Sequence, residues 1–226
     1  MTKKYYPLVF PAVAMLVVLF GLAGRRNLWV NWVRYYLALV LLSGLAGGTM
    51  MWLVIHPFAR SLRRVGFRWA YLIVSVPIIL SVGAVLWFRD TILASDYGTN
   101  YLFIALAVVP FTLAMVIYMS HRKYLTLQIQ VGIPELTDKL KSVLLTEGIY
   151  SRIRHPRYVE TILWIIGYAL FTNYLAVYLA FFLMLPLMHA VVLLEEKELK
   201  ARFGLVYEQY RRQVPRYIPK IPSGNK

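Results

Sequence analysis

The chain reads as an all-α, polytopic membrane protein of about six transmembrane segments, and three observations predict this. Sixty per cent of its 226 residues are hydrophobic and only 15% are charged. The apolar residues are gathered into long blocks rather than short periodic stripes, as expected when lipid is the solvent. The basic residues lie between those blocks, and all but four of the 25 Lys and Arg fall on one predicted side of the membrane.

The first block, 7–23, lies between Lys3-Lys4 and Arg25-Arg26. It is long for a signal peptide and no small-residue cleavage site follows, so a retained helix is expected. Blocks 35–55, 69–88 and 101–119 are each near the ~20 residues that cross a hydrocarbon core. The stretch 158–194 is too long for one span and breaks at Thr172-Asn173. It is expected to form a helical hairpin with arms 158–171 and 174–194, the first arm short for a crossing at ~21 Å. Residues 1–120 thus form an N-terminal set of four spans, and 121–226 a loop, hairpin and C-terminal helix that hold the chemistry.

Six segments put both termini on one side. That side carries the 56–68 and 121–157 loops, and the opposite side carries only Arg25, Arg26, Arg34 and Arg89. By the positive-inside rule both termini are cytoplasmic, in a membrane of the bacterial inner or endoplasmic reticulum type. The net charge of +15 therefore points to helix orientation and anionic headgroups, not to nucleic acid. The absence of cysteine excludes disulfides, thiolate metal sites and a cysteine nucleophile. Four scattered histidines suggest no metal site.

Several local patterns are structural. The run Ser43-Gly44-Leu45-Ala46-Gly47-Gly48 spaces small residues as a close helix-packing face. Pro77, Pro110 and Pro186 lie inside spans and are expected to kink them. In the long loop, Leu125, Leu127, Ile129 and Val131 alternate with polar residues, suggesting an extended piece. Pro134 then opens an amphipathic surface helix carrying Leu136, Leu140, Val143 and Leu144. After the last span, Leu199, Phe203, Val206 and Tyr210 mark the apolar stripe of an amphipathic C-terminal helix.

Polar residues that solvation does not explain gather at the two ends of the hairpin. Arg152, Arg154, His155, Arg157 and Tyr158 stand at its entrance, and Glu195 and Glu196 at its exit. A hairpin brings these ends together, so opposite charges converge at one membrane boundary. Interfacial snorkelling competes as an explanation for the arginines. His189 shares a helical face with Glu196, and an ionisable residue inside a span is a functional candidate. Glu160 either faces the same pocket or snorkels outward.

The run from Gly148-Ile149-Tyr150 through Arg154-His155-Pro156-Arg157-Tyr158 resembles the Gly-x-Tyr…Arg-His-Pro-x-Tyr motif of the isoprenylcysteine carboxyl methyltransferase and phospholipid N-methyltransferase superfamily. Glu195-Glu196, Phe203-Gly204, Tyr207, Tyr210 and Val214-Pro215 are similar to that superfamily's second block. The resemblance covers about 144–219, a third of the chain, and two ordered blocks flanking an apolar hairpin make it specific. It implies S-adenosylmethionine as cofactor, bound by Gly148, Tyr150, Arg154, His155, Pro156, Tyr158, Glu195 and Glu196. The glutamates would accept from its ribose or ammonium, an arginine would fork onto its carboxylate, and a tyrosine ring would face its sulfonium. No Gly-x-Gly-x-x-Gly is present, so no Rossmann methyltransferase is indicated. The expected reaction is methyl transfer to a membrane-embedded or amphipathic acceptor: an isoprenylcysteine carboxylate, a phospholipid amine or a small thiol. Arg154, Glu160 and His189 are the catalytic candidates. Glu160 departs from the small residue the family usually carries there, which leaves the substrate class open. The competing expectations are a nicotinamide-dependent sterol or isoprenoid reductase, which carries a related Arg-His-Pro motif, and a non-catalytic membrane scaffold.

Overall fold

The computed structural model describes residues 28–122, 124 and 144–219. The expected first span, 7–23, and the extended piece and surface helix of the long loop lie outside the described residues, apart from Leu144. Within them the chain is helical, with no strand: α1 is Leu28–Val65, α2 Phe67–Trp87, α3 Tyr101–His121, α4 Pro156–Thr172, α5 Leu175–Phe203 and α6 Leu205–Gln213, with a single turn at Arg89–Ile92 and a 3₁₀ turn at Gly148–Ser151. Four stretches are long and apolar enough to cross a membrane: Leu28–Ile55, Phe67–Trp87, Tyr101–His121 and Leu175–Phe203. Their outward faces carry exposed large apolar residues such as Trp69, Ile79, Leu80, Leu102, Leu113 and Phe182, as a lipid-facing surface requires.

The helices match the apolar blocks but outrun them. α1 has 38 residues, about 57 Å at 1.5 Å per residue. It continues through the basic segment to Val65, where Gly66 at φ 85° reverses the chain into α2. Of the three glycines in the predicted small-residue face, Gly47 makes the close approach among the described residues. A Cβ there would press on Ile78 and Val82 of α2, whereas Gly44 and Gly48 have no described neighbour within 4 Å. Pro77, Pro110 and Pro186 are each carried inside a continuous helix.

The hairpin forms where the sequence breaks. α4 ends at Thr172, and Asn173 adopts the left-handed conformation at φ 56°, which asparagine tolerates better than most residues. Its side-chain amide donates to the Gly98 carbonyl, and its oxygen accepts from the Tyr178 hydroxyl. The first arm starts two residues earlier than expected, because Pro156 supplies a helix-compatible first position. It remains short, about 26 Å for 17 residues.

α3 and α4 pack closely along their lengths. Ile104, Ala107 and Phe111 of α3 meet Phe171, with Val30 of α1 completing the cluster. Gly167 permits the approach: Phe111 lies over it, with ring centroids 5.4 Å from Trp164 and 5.3 Å from Tyr168. A methyl group at 167 would run into the Phe111 ring. Gly167→Ala is therefore expected to destabilise the protein by about 1–3 kcal/mol through overpacking. Phe111→Leu in the same chain should recover part of that loss in thermal unfolding.

Arg34, expected in a loop, instead lies in α1 and is 0% exposed. Its Nε donates to the Thr172 carbonyl at 2.8 Å, one terminal nitrogen donates to Asn31 and Thr99, and the other pairs with Asp96. Tyr97 N–H donates to the Asn173 carbonyl and Leu175 N–H to the Ser95 carbonyl. This end of the bundle is thus tied across α1, the 93–100 segment and the hairpin turn.

At the other end, the expected C-terminal stripe is corrected. Gly204, at φ 55°, separates α5 from α6 and resets the helical phase. Leu199 and Phe203 still pack on Tyr207, Tyr210 and Val214, but Val206 is 62% exposed.

Candidate functional site

Glu195 and Glu196 lie within continuous α5 rather than at its end. Consecutive helical residues are turned by about 100°, and the two carboxylates have different surroundings. Glu196 is 6% exposed. Its Oε1 accepts from His155 Nε2 at 3.1 Å and Arg216 Nε at 2.9 Å and pairs with Arg154 at 3.1 Å, while Oε2 accepts from Arg216 at 2.7 Å. A forked guanidinium, a second guanidinium and an imidazole use nearly all its acceptor capacity. Glu195 accepts from the Tyr158 hydroxyl at 2.9 Å and lies 3.6 Å from His155 Nδ1.

His155 stands between the two carboxylates. Burial alone would lower its pKa, but the hydrogen bonds and negative charge of Glu195 and Glu196 outweigh that and hold it above the ordinary value. Its backbone position is fixed from both sides. His155 caps α4, and its N–H donates to the Arg216 carbonyl while that of Arg154 donates to the Pro215 carbonyl. The C-terminal tail is thereby laid across the hairpin entrance. Beside it, the Tyr217 ring lies 6.3 Å from that of His155.

The remaining motif residues build the frame. Gly148 has φ 61°, and a Cβ there would strike the Tyr124 ring. Tyr150 is buried, its carbonyl accepts from the Tyr210 hydroxyl at 2.7 Å, and burial pushes its own hydroxyl pKa well up. Tyr207, close to Arg154, is pushed up to about 12, chiefly by burial. Pro156 is buried at the first position of α4, so its visible role is to start the helix.

The sequence-predicted residues divide into three groups. Arg154, His155, Tyr158, Glu195 and Glu196 come together. His189 lies at the margin, exposed, with Nδ1 3.0 Å from the Tyr217 hydroxyl. Glu160 neither snorkels outward nor joins the cluster. It is buried and turned to α3, with Oε2 2.5 Å from His121 Nε2 and Oε1 accepting from Trp164 at 3.1 Å. Sequence reasoning missed Arg216, Tyr217 and His121. Arg216 and Tyr217 directly follow the Val214-Pro215 motif ending, and that adjacency was the only available signal.

A groove of about 660 Å³, lined by Trp32, Tyr35, Tyr36, Asp90 and Tyr174 among others, is not this site. Tyr174 precedes α5, and Glu195 lies 21 residues further on, about 30 Å along the helix.

Fold and cluster define a polytopic membrane protein with a charged, partly buried site at one end of a helical hairpin. The phospholipid methyltransferase family profile matches residues 102–205. The chain is 38% identical over 81 residues to a protein-S-isoprenylcysteine O-methyltransferase of Schizosaccharomyces pombe, covering 35% of this chain and 34% of that one. It is also 36% identical over 90 residues to the cobalt-zinc-cadmium resistance protein CzcN of Cupriavidus metallidurans, covering 38% and 40%. The aligned stretches thus span little more than a third of these relatives. No solved structure matches the chain. Residues 102–205 are thus similar to the phospholipid methyltransferase family, and the chain is similar over about a third of its length to an isoprenylcysteine O-methyltransferase.

Proposed function

We propose that this chain is an integral membrane methyltransferase that takes its methyl group from S-adenosylmethionine and passes it to a lipidic or amphipathic acceptor at the cytoplasmic membrane face. The observation that carries this reading is the convergence of three distant segments, Arg154-His155, Glu195-Glu196 and Arg216-Tyr217, into one cluster at the two blocks that resemble the superfamily. The distribution of basic residues supports a cytoplasmic side for this end and for both termini.

The residues suit the cofactor. Arg154 Nε is buried with no partner among the described residues, a donor suited to a carboxylate. Glu195 offers a carboxylate to an ammonium or to ribose hydroxyls, and the Tyr158 and Tyr217 rings offer faces to a sulfonium. Glu196, engaged by Arg154, Arg216 and His155, is a positioning group that fixes Arg154 and Arg216 rather than a direct contact. The cofactor supplies an already activated methyl group, so the protein's part is to bind, orient and exclude water.

Titration calorimetry with S-adenosylhomocysteine tests the reading. The protein is expected to bind it, and Glu195→Gln to weaken binding by about ten- to a hundredfold, the effect of losing one charge-assisted hydrogen bond. Stabilisation by NADPH with no response to S-adenosylhomocysteine would instead favour a reductase, and a response to neither a non-catalytic scaffold.

A further inference from the structure

Resting on the methyltransferase reading, we propose that Tyr217 is the lateral gate of the site, held shut by His189, and that an acceptor dissolved in the bilayer reaches the site only when this latch opens. The Tyr217 ring adjoins two histidines in different surroundings, with centroids 6.3 Å from His155 and 6.1 Å from His189. His155 is buried at the centre of the charged cluster. His189 is exposed on α5, on the same helical face as Phe182, Leu185 and Leu193, which are also exposed among the described residues. That face is the apolar outer side of a helix long enough to cross the membrane. An ionisable residue there is costly unless it has a role or a partner, and its Nδ1 has a partner in the Tyr217 hydroxyl at 3.0 Å. One side chain thus covers the way from the lipid-directed face to the cluster.

The tail is able to move at this point. Up to Arg216 it is held firmly: the Arg154 and His155 N–H groups donate to the Pro215 and Arg216 carbonyls, and the Arg216 fork grips Glu196. Tyr217 is the first residue beyond these ties, and Ile218 after it is 80% exposed. A lone hydrogen bond on an exposed face is weak beside a forked ion pair. Rotation about the Tyr217 side-chain bonds breaks it without disturbing the Arg216 anchor, and such rotations are fast. His189 precedes Glu196 by seven residues, about 10.5 Å along α5. The latch therefore lies deeper in the membrane than the charged cluster, at the level where a hydrocarbon chain approaches.

A closed latch raises the apparent KM of a bilayer-borne acceptor, which is the intrinsic value divided by the open fraction. Removing one hydrogen bond of ordinary strength increases that fraction about three- to tenfold. A small water-borne acceptor arrives from the aqueous side and does not pass Tyr217, so the latch does not enter its KM. The two latch residues should also be coupled. Once either partner is lost the bond is gone, and losing the second adds nothing. A residue that merely supports the fold would raise both KM values together.

The test uses the full chain in phosphatidylcholine nanodiscs. Tyr217→Phe keeps the ring and removes the hydroxyl; His189→Leu removes the partner and suits a lipid-facing position. Dodecylamine, dodecanethiol and N-acetyl-S-farnesylcysteine are offered with S-adenosylmethionine, each beside its short counterpart: butylamine, butanethiol and N-acetyl-S-methylcysteine. For every long-chain probe the wild type methylates, the ratio of its KM to the KM or inhibition constant of the short one should fall about three- to tenfold in either variant, and no further in the double variant. Histidine ¹⁵N spectra give a readout without turnover, since four histidines are few enough to assign His189 by its loss in His189→Leu. Its Nδ1 signal should shift in Tyr217→Phe, and shift the same way when a long-chain probe is added to the wild-type S-adenosylhomocysteine complex. An unchanged or raised ratio, additive effects in the double variant, or a His189 signal indifferent to Tyr217→Phe would each overturn the gate and leave the methyltransferase reading intact. A wild type that binds S-adenosylhomocysteine but methylates none of the long-chain probes would overturn the gate too, because no bilayer-borne acceptor then passes the ring. Failure of the wild type to bind S-adenosylhomocysteine would remove the methyltransferase reading, and the gate with it.

Discussion

Glu196→Ala is expected to cost about 3–5 kcal/mol of stability, the typical price of removing one partner from a buried ion pair. The substitution leaves Arg154, Arg216 and His155 facing one another with no carboxylate between them. Glu195 does not replace it, since it is directed to Tyr158 and the other side of His155. The damage should be local first. The tail is held to the hairpin by the Arg216 fork and two backbone hydrogen bonds, so loss of the fork should expose the chain after Val214 to protease before the bundle unfolds. Limited proteolysis at Arg216, read beside the thermal midpoint in detergent, checks both. Glu195→Ala should change the midpoint little, because Glu195 is partly exposed. A Glu196→Ala protein as stable and protease-resistant as wild type would show that Arg154, Arg216 and His155 do not depend on it.

The contrast between these adjacent glutamates shows what was legible in the sequence. Span positions followed from hydropathy, because lipid demands a long apolar run whatever the fold. The hairpin break was legible for the same reason, since Thr172-Asn173 interrupts such a run. Helix ends were not, because backbone hydrogen bonding continues past the point where side chains become polar. α1 therefore reaches Val65 and α5 reaches Phe203. Within the site, the residues near the hairpin ends could be brought together from topology alone. Which carboxylate is filled by cations and which meets a tyrosine depends on where the tail returns, and nothing local encodes that. Arg216 looked like one more basic residue on a basic face. His121 stood at the start of the 121–157 loop as one of four scattered histidines, and its pairing with Glu160 spans 39 residues. Arg34 was misread as a loop charge because an arginine beside an apolar block usually meets water.

That arginine supports the second large expected effect, and its sign pattern is unusual. Arg34 is wholly buried, whereas the Asp96 side chain keeps 35% of its surface exposed. Removing the charge of Asp96 leaves a guanidinium in a low-dielectric site with only neutral acceptors and the Tyr174 ring, 5.3 Å away. Asp96→Asn is therefore expected to cost about 3–5 kcal/mol, even though the amide oxygen can still accept from Gly98 N–H. Arg34→Met removes the buried charge itself. Asp96 can then turn to water, and the main loss is the donor to the Thr172 carbonyl, about 1–3 kcal/mol for an unsatisfied buried acceptor. The single losses should thus be unequal, with the aspartate variant the worse. The double variant Arg34→Met with Asp96→Asn should be more stable than Asp96→Asn alone, with a coupling of about 3–5 kcal/mol, the unpaired-charge cost that removing Arg34 relieves. Unfolding midpoints of the four proteins in one detergent decide it. Strict additivity, or Arg34→Met as the more damaging change, would mean that the guanidinium holds the hairpin turn through its neutral hydrogen bonds and that its charge is compensated elsewhere.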